Sequence, residues 1–318
     1  MRSFSCPTCR HLVFFENFSC LNCGTELGFS RTDRTLVAAT TRCANAALAD
    51  CNWAPDGGPL CGCCALTRTR PADTDPAGLA AFARTEAAKR RLVFQLDELG
   101  LPTGGVVFDL LSSTEQPVTT GHADGVVTID LAEGDDPHRE ALRVQLAEPY
   151  RTLLGHLRHE IGHWYWTVLL QDDPELFRAL FGDDRADYAT ALERQYGGSP
   201  PAGWEETAVS RYATAHPLED WAETFAHYLH IRDTLDTAAA FGLVVHGPAA
   251  VDEDSLAANP TANPKNFDEI IGTWLPLTCA LNAVNRSMGR DDLYPFYLST
   301  TVLDKLRFVH ETITGGPA

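Results

Sequence analysis

The 318-residue chain carries 43 acidic against 25 basic side chains, a formal charge of −18, which excludes nucleic-acid binding as its main role because phosphate contacts need a basic surface. Apolar residues at 44% with 21% charged describe a globular protein with one large or two modest domains. No basic-then-apolar leader opens the chain and no apolar run approaches the ~20 residues of a membrane span, so a cytoplasmic location is expected.

Nine of the ten cysteines fall in the first 64 residues, a crowding that points to metal in a cytosolic chain. Cys6, Cys9, Cys20 and Cys23 form two C-x2-C turns, the second followed by Gly24. Each such turn aims two thiolates at one tetrahedral centre, so the four make a closed structural zinc site; iron in a rubredoxin-like site is the alternative. Cys43, Cys51, Cys61 and Cys64 are the candidate ligands of a second structural zinc, with free core thiols or a crossed pairing of the two sets as alternatives. Residues 1–70 hold seven arginines and five acids, a balance of +2, too weak to imply nucleic acid and compatible with a protein partner. So small a module has a marginal core, and metal is expected to supply much of its folding free energy.

Pro71 to Gly78 reads as a linker, and Leu79 to Leu99 as a helix with Lys89, Arg90 and Arg91 as a solvated stripe. Strands are expected over Val106–Leu111 and Val126–Leu131, the second with Val127, Ile129 and Leu131 on its inner face. That second strand is either a plain sheet strand or an exposed edge along which an extended peptide could add. A short helix over residues 137–147 leads into Pro149.

Leu153 to Leu170 then reads as a helix with its apolar residues at helical spacing on one side. It contains His159-Glu160-Ile161-Gly162-His163. Residues four apart lie one above the other, so His159 and His163 present both imidazoles to one point, where they can share one zinc ion. Glu160 stands about a third of a turn from His159, where a carboxylate reaches a water at that metal. The alternative is an apolar helix with two satisfied core histidines.

Two histidines require a third protein ligand, with water in the fourth place. The downstream positions where a three-histidine continuation would place a glycine and then the third histidine hold Trp166 and Leu169. A second helix over His216 to Tyr228 places Glu219, Glu223 and His227 at successive i, i+4 positions, with Leu218, Trp221, Ala222, Phe225 and Leu229 on the other side. The alternative, a solvated acidic face, conflicts with Trp221 and Phe225 and with the lack of lysine partners. That helix therefore offers Glu219 and Glu223 as candidate carboxylates for the third place. Trp274 to Ser287 reads as a buried helix whose Arg286 meets either a substrate carboxylate or a structural acid, and Asp304 to Ile313 as a closing helix.

HEIGH together with EDWAETFAHY resembles the glutamate zincins. With RCANA (42–46), CNW (51–53), LTRTRP (66–71), EPYRTLLGHLRHEIGHWYW (148–166), HPLEDWAETFAHYLHI (216–231) and NRSMGRDDLYPF (285–296), it resembles the bacterial zinc-binding metallopeptidase family with an N-terminal zinc-ribbon region. The likeness implies an α+β fold: a zinc ribbon at 1–70, then at 71–318 a mainly helical zincin-like metallopeptidase domain with a small sheet. It also implies one catalytic zinc on His159, His163 and Glu219 beside one or two structural zincs, Glu160 as general base, and a peptide or protein substrate with no membrane partner. A wider likeness to lethal-factor-like metalloproteases assigns Glu223 to holding a histidine in place and Tyr212, seven residues before Glu219, to donating to the substrate's carbonyl oxygen; a core tyrosine is the alternative for Tyr212. The competing functional reading is an interaction or adaptor protein whose zincin-like domain binds peptides without cleaving them.

Overall fold

The computed structural model describes residues 2–113, 117–134, 152–188, 190–191, 201–247, 257–262, 264 and 266–315. The expected helix at 137–147 and Pro149 lie outside them. The chain has a mixed α+β, mainly helical architecture and divides into two compact units, Met1–Leu142 and Arg143–Ala318.

In the first unit the Cys6–Cys9 turn joins the strands of a first antiparallel hairpin, and the Cys20–Cys23 turn, closed by the Ser19–Glu26 bridge, leads into a second. Strand β1 (Ser3–Ser5) pairs with β2 (Leu12–Phe14), and β3 (Leu27–Ser30) with β4 (Thr35–Ala38). Helix α1 (Pro76–Glu98) starts where Asp75 accepts a hydrogen bond from Gly78 N, with proline in its first turn. Phe94 of α1 enters the cysteine-rich core, its ring 5.0 Å from that of Phe15 and 5.5 Å from that of Phe29, while Phe29 packs on Trp53 at 4.9 Å. The polar side of α1 is not a solvated stripe. Lys89 is fully buried on Glu86 at 2.6 Å, and Arg90, 5% exposed, donates to the carbonyls of Ala49 and Asp50; Arg91 alone of the three is exposed. The loop 43–64 leaves carbonyls that need donors at the helix surface, and arginine reaches them.

A four-stranded sheet completes the unit in the order β5 (Thr67–Thr69), β6 (Val107–Leu111), β8 (Val126–Asp130), β7 (Gly121–Ala123). The inner residues Val127 and Ile129 are fully buried, as the alternation of the sequence requires. The notion of β8 as an exposed edge is overturned: it lies between β6, its parallel neighbour, and β7, its antiparallel one. Its backbone groups are already engaged on both sides, so it has no free edge along which a peptide could add.

The second unit is built on two helices. α2 (Leu153–Leu169) begins where Thr152 Oγ1 accepts from Gly155 N, and α4 (Pro217–Ala240) where His216 Nδ1 accepts from Leu218 N. The short α3 (Glu175–Phe181) lies between them in sequence, and Phe177 and Phe181 pack on Trp221 of α4. α5 (Phe267–Ser287) and α6 (Thr300–Thr314) complete the unit, with Phe308 of α6 on Trp221 and His310 against the Tyr228 hydroxyl at 2.8 Å. No described helix is long and apolar enough to cross a membrane.

Candidate metal centre

The approach of α2 to α4 is set by one glycine. A Cβ on Gly162 would stand 3.2 Å from Ala222 Cα and 3.3 Å from its carbonyl oxygen, so glycine lets the two backbones come closer than a side chain fits without a shift of a few tenths of an ångström. Trp221 Nε1 donates to Gly162 O at 2.8 Å, and Tyr165 stacks on Phe225 at 5.2 Å. These contacts fix the register that brings His159 and His163 of α2 to Glu219 of α4.

His159 Nε2 is 3.2 Å from His163 Nε2 and 3.0 Å from Glu219 Oε2, and His163 Nε2 is 3.5 Å from Glu219 Oε1. His159 Nδ1 is held at 2.7 Å by Glu223 Oε1, which places the neutral ring's proton on Nδ1 and leaves a lone pair on Nε2. Lone-pair atoms thus face one another, and Glu219 Oε2 is buried with no hydrogen-bond partner among the described residues. Tetrahedral zinc with nitrogen and oxygen bonds of ~2.0–2.1 Å has ligand-to-ligand edges of ~3.3 Å, so the spacing fits zinc. Electrostatics agree. Burial opposes a charge on His159, but Glu219 and Glu223 outweigh it and hold its pKa well above the ordinary value, a cation's attraction exerted on the proton instead. Burial likewise works against Glu219, yet the two imidazoles bring its pKa below the usual carboxylate range.

Around these atoms stand the other expected residues. Glu160 is 9% exposed, its Oε2 lacks a hydrogen-bond partner among the described residues, and burial raises its pKa. The Tyr212 ring lies 5.8 Å from that of His159, on the 3-10 turn Tyr212–Thr214. Buried His227 is bound to the Tyr294 hydroxyl at 2.7 Å and half-buried His230 to Arg158 at 2.6 Å, both as satisfied histidines. Arg286 pairs with Asp292 at 2.5 Å, which gives it a structural partner, and Met288 is 75% exposed.

Two residues at this centre have no expectation attached to them in the sequence. Ser210 Oγ donates to Glu223 Oε2 at 2.6 Å and accepts from Ala213 N at 3.1 Å, tying the Tyr212 turn to the acid that holds His159. The Tyr188 hydroxyl donates to Glu219 Oε1. Neither lies at a recurring offset from the histidines, and a lone Ser or Tyr in a polar stretch carries no periodic signal.

The cysteines gather in the two sets read from the spacing, Cys6, Cys9, Cys20, Cys23 and Cys43, Cys51, Cys61, Cys64. Sulfur-to-sulfur distances are 3.7 Å for Cys6 and Cys23 and 3.6 Å for Cys9 and Cys20. In the second set Cys51 is 3.6 Å from both Cys61 and Cys64. Zinc–sulfur bonds of ~2.3 Å give tetrahedral edges of ~3.8 Å, close to these values and far from the ~2.05 Å of a disulfide. Backbone N–H groups of Cys61 and Cys64 point at Cys43 and Cys61 sulfurs, each at 3.4 Å, as thiolates require. Cys63 is buried outside both sets.

Two imidazoles and a carboxylate converging between crossed helices, in a chain that opens with cysteine hairpins, define a zinc-binding protein. Residues 78–312 match the family described as "Putative zinc-binding metallo-peptidase" and residues 3–42 a zinc-ribbon domain, and the chain belongs to that metallopeptidase family. It is 54% identical to "Uncharacterized protein Rv2568c" of Mycobacterium tuberculosis (strain ATCC 25618 / H37Rv), over 98% of this chain and 95% of the relative. The same figures hold for "Uncharacterized protein Mb2598c" of Mycobacterium bovis. No solved structure matches the chain.

Proposed function

We propose that the chain is a cytoplasmic zinc-dependent peptidase of the glutamate-zincin kind, with residues 1–70 as a zinc-ribbon module and 71–318 as the catalytic domain. The observation that carries this reading is the meeting of His159 Nε2, His163 Nε2 and the Glu219 carboxylate at zinc-like spacing beside the buried Glu160, whose Oε2 has no hydrogen-bond partner among the described residues. Zinc held there supplies Lewis acidity, polarising the carbonyl under attack and making water a nucleophile near neutral pH. Glu160 takes the attacking water's proton and passes it to the leaving amine. Tyr212 donates a hydrogen bond to the oxygen on which charge develops. Glu223, anchored by Ser210, keeps the Nδ1 tautomer and orientation of His159. Cys6, Cys9, Cys20 and Cys23 hold one structural zinc, and Cys43, Cys51, Cys61 and Cys64 a second. The substrate is a peptide or protein, and the ribbon is a place for a protein partner.

The test is Glu160→Gln on a peptide library. The variant should keep its zinc and lose hydrolysis by about 10²–10⁴-fold, the range for a proton-transfer group. A wild type that cleaves nothing while both proteins capture the same peptides would make the chain a peptide-binding adaptor instead.

A further inference from the structure

Glu219 offers two oxygens to the centre, and they have different surroundings. Oε2 lies 3.0 Å from His159 Nε2 and has no hydrogen-bond partner among the described residues, whereas Oε1 accepts the Tyr188 hydroxyl. A carboxylate with both oxygens free can chelate a cation through both, raising its coordination number and taking the place that a water needs. Oε1 also lies 3.5 Å from His163 Nε2, but with one of its lone pairs taken by a phenol it is the weaker donor, and the carboxylate binds through the other.

Tyr188 is brought there by a second device. His216 is buried at 3% exposure, and both of its ring nitrogens are in use. Nε2 donates to Ala186 O at 3.0 Å, which leaves the lone pair on Nδ1 to accept Leu218 N at 3.1 Å and cap α4. Its ring meets that of Tyr188 edge-on at 5.1 Å. One histidine thus fixes the helix end that carries Glu219 and the backbone two residues before Tyr188. The Tyr188 ring itself is 40% exposed, so the phenol stands at the solvent side of the centre.

We propose that Tyr188, delivered by His216, is a positioning residue that makes Glu219 a one-oxygen ligand through Oε2 and thereby keeps the fourth place on the metal open. This rests on the metal-centre reading above and goes beyond it in assigning the ligating oxygen and the residue that selects it.

The test uses full-length protein with zinc left in the cysteine sets, the zinc of the His159 centre removed by chelator and cobalt(II) added back. Wild type should give the intense visible bands of four-coordinate cobalt. Tyr188→Phe keeps the ring on His216 and loses only the hydroxyl. It should unfold at the wild-type temperature when metal-free, yet bind cobalt about 10-fold more weakly, as loss of a ligand's hydrogen-bond partner does, and with bands weakened towards higher coordination. Unchanged bands and affinity in Tyr188→Phe would overturn the proposal. So would a phenolate-to-metal charge-transfer band in copper(II)-loaded wild type that vanishes in the variant, because Tyr188 would then be a ligand itself. If wild type takes up no cobalt at a site sensitive to His163→Ala, the failure lies in the metal-centre reading, which is thereby told apart from a failure of Tyr188 alone.

Discussion

His159 uses both ring nitrogens, one facing the candidate ligands and the other on Glu223, and Glu223 in turn uses both oxygens, one on His159 and one on Ser210. Removing Glu223 frees the ring to rotate and removes the partner that fixes its proton, so Glu223→Ala should weaken zinc binding at this centre by about 10–100-fold. Ser210→Ala, which leaves the carboxylate in place, should cost less; competition against a chromogenic chelator measures both. The metal competes with a proton for His159, whose pKa in the metal-free protein is well above 6.5. The sign follows directly: lowering the pH favours the proton, so zinc affinity here falls as pH falls, with the loss beginning above pH 6.5, and binding releases protons into weakly buffered solution. Much of this centre is legible in sequence because helical spacing alone stacks His159 over His163 and Glu219 over Glu223. Tyr188 is not, since it stands 31 residues before Glu219 and reaches it through tertiary structure.

At the scale of elements, the two helices that carry the centre meet at Gly162 and Ala222, backbone against backbone. Gly162→Ala puts a methyl group 3.2 Å from Ala222 Cα, where no flexible side chain can yield, and α2 must move away from α4. A loss of about 1–3 kcal/mol in urea unfolding is expected, together with weaker zinc binding, because His159 and His163 move with α2. α4 also carries the buried His227 and the half-buried His230, both uncharged. Burial holds the His227 pKa down at about 4, and burial with the neighbouring Arg158 takes His230 well below its ordinary value. At these two positions the unfolded chain binds more protons than the folded one between about pH 4 and 6.5, so their contribution to stability falls as pH drops through that window, while Asp220, raised by burial to about 6, works in the opposite sense. His227 alone should account for roughly 3 kcal/mol, to be read as the difference in urea unfolding between pH 7 and 4 that His227→Gln removes. The existence of these helices follows from apolar periodicity and the start of α4 from Pro217, whereas the Thr152 cap of α2 is seen only in the structure. The burial of Lys89 and Arg90 on α1 does not, because a basic triplet looks alike whether water or the carbonyls of Ala49 and Asp50 receive it.

For the chain as a whole, compactness groups α1 and the four-stranded sheet with the cysteine hairpins in Met1–Leu142. The order β5-β6-β8-β7 was hidden in the sequence because strand neighbours are chosen by long-range pairing, whereas alternation reports only which face of a strand is inside. The scarcity of large apolar side chains before residue 70 was legible, and α1 supplies what is lacking: Phe94 closes the cluster of Phe15, Phe29 and Trp53. Zinc thiolates and this aromatic cluster then stabilise one cooperative body, so losing either should loosen the other. Phe94→Ala is expected to destabilise it by roughly 3–5 kcal/mol, the range for deleting a buried phenylalanine. A fragment of residues 1–70 lacks Phe94 and exposes the aromatic face it covers. That fragment should yield its zinc to chelator faster than a fragment of residues 1–134, and should bind a hydrophobic dye that the longer one ignores. Equal zinc release from the two would mean that the cysteine sets alone hold the hairpins, with α1 only resting on them.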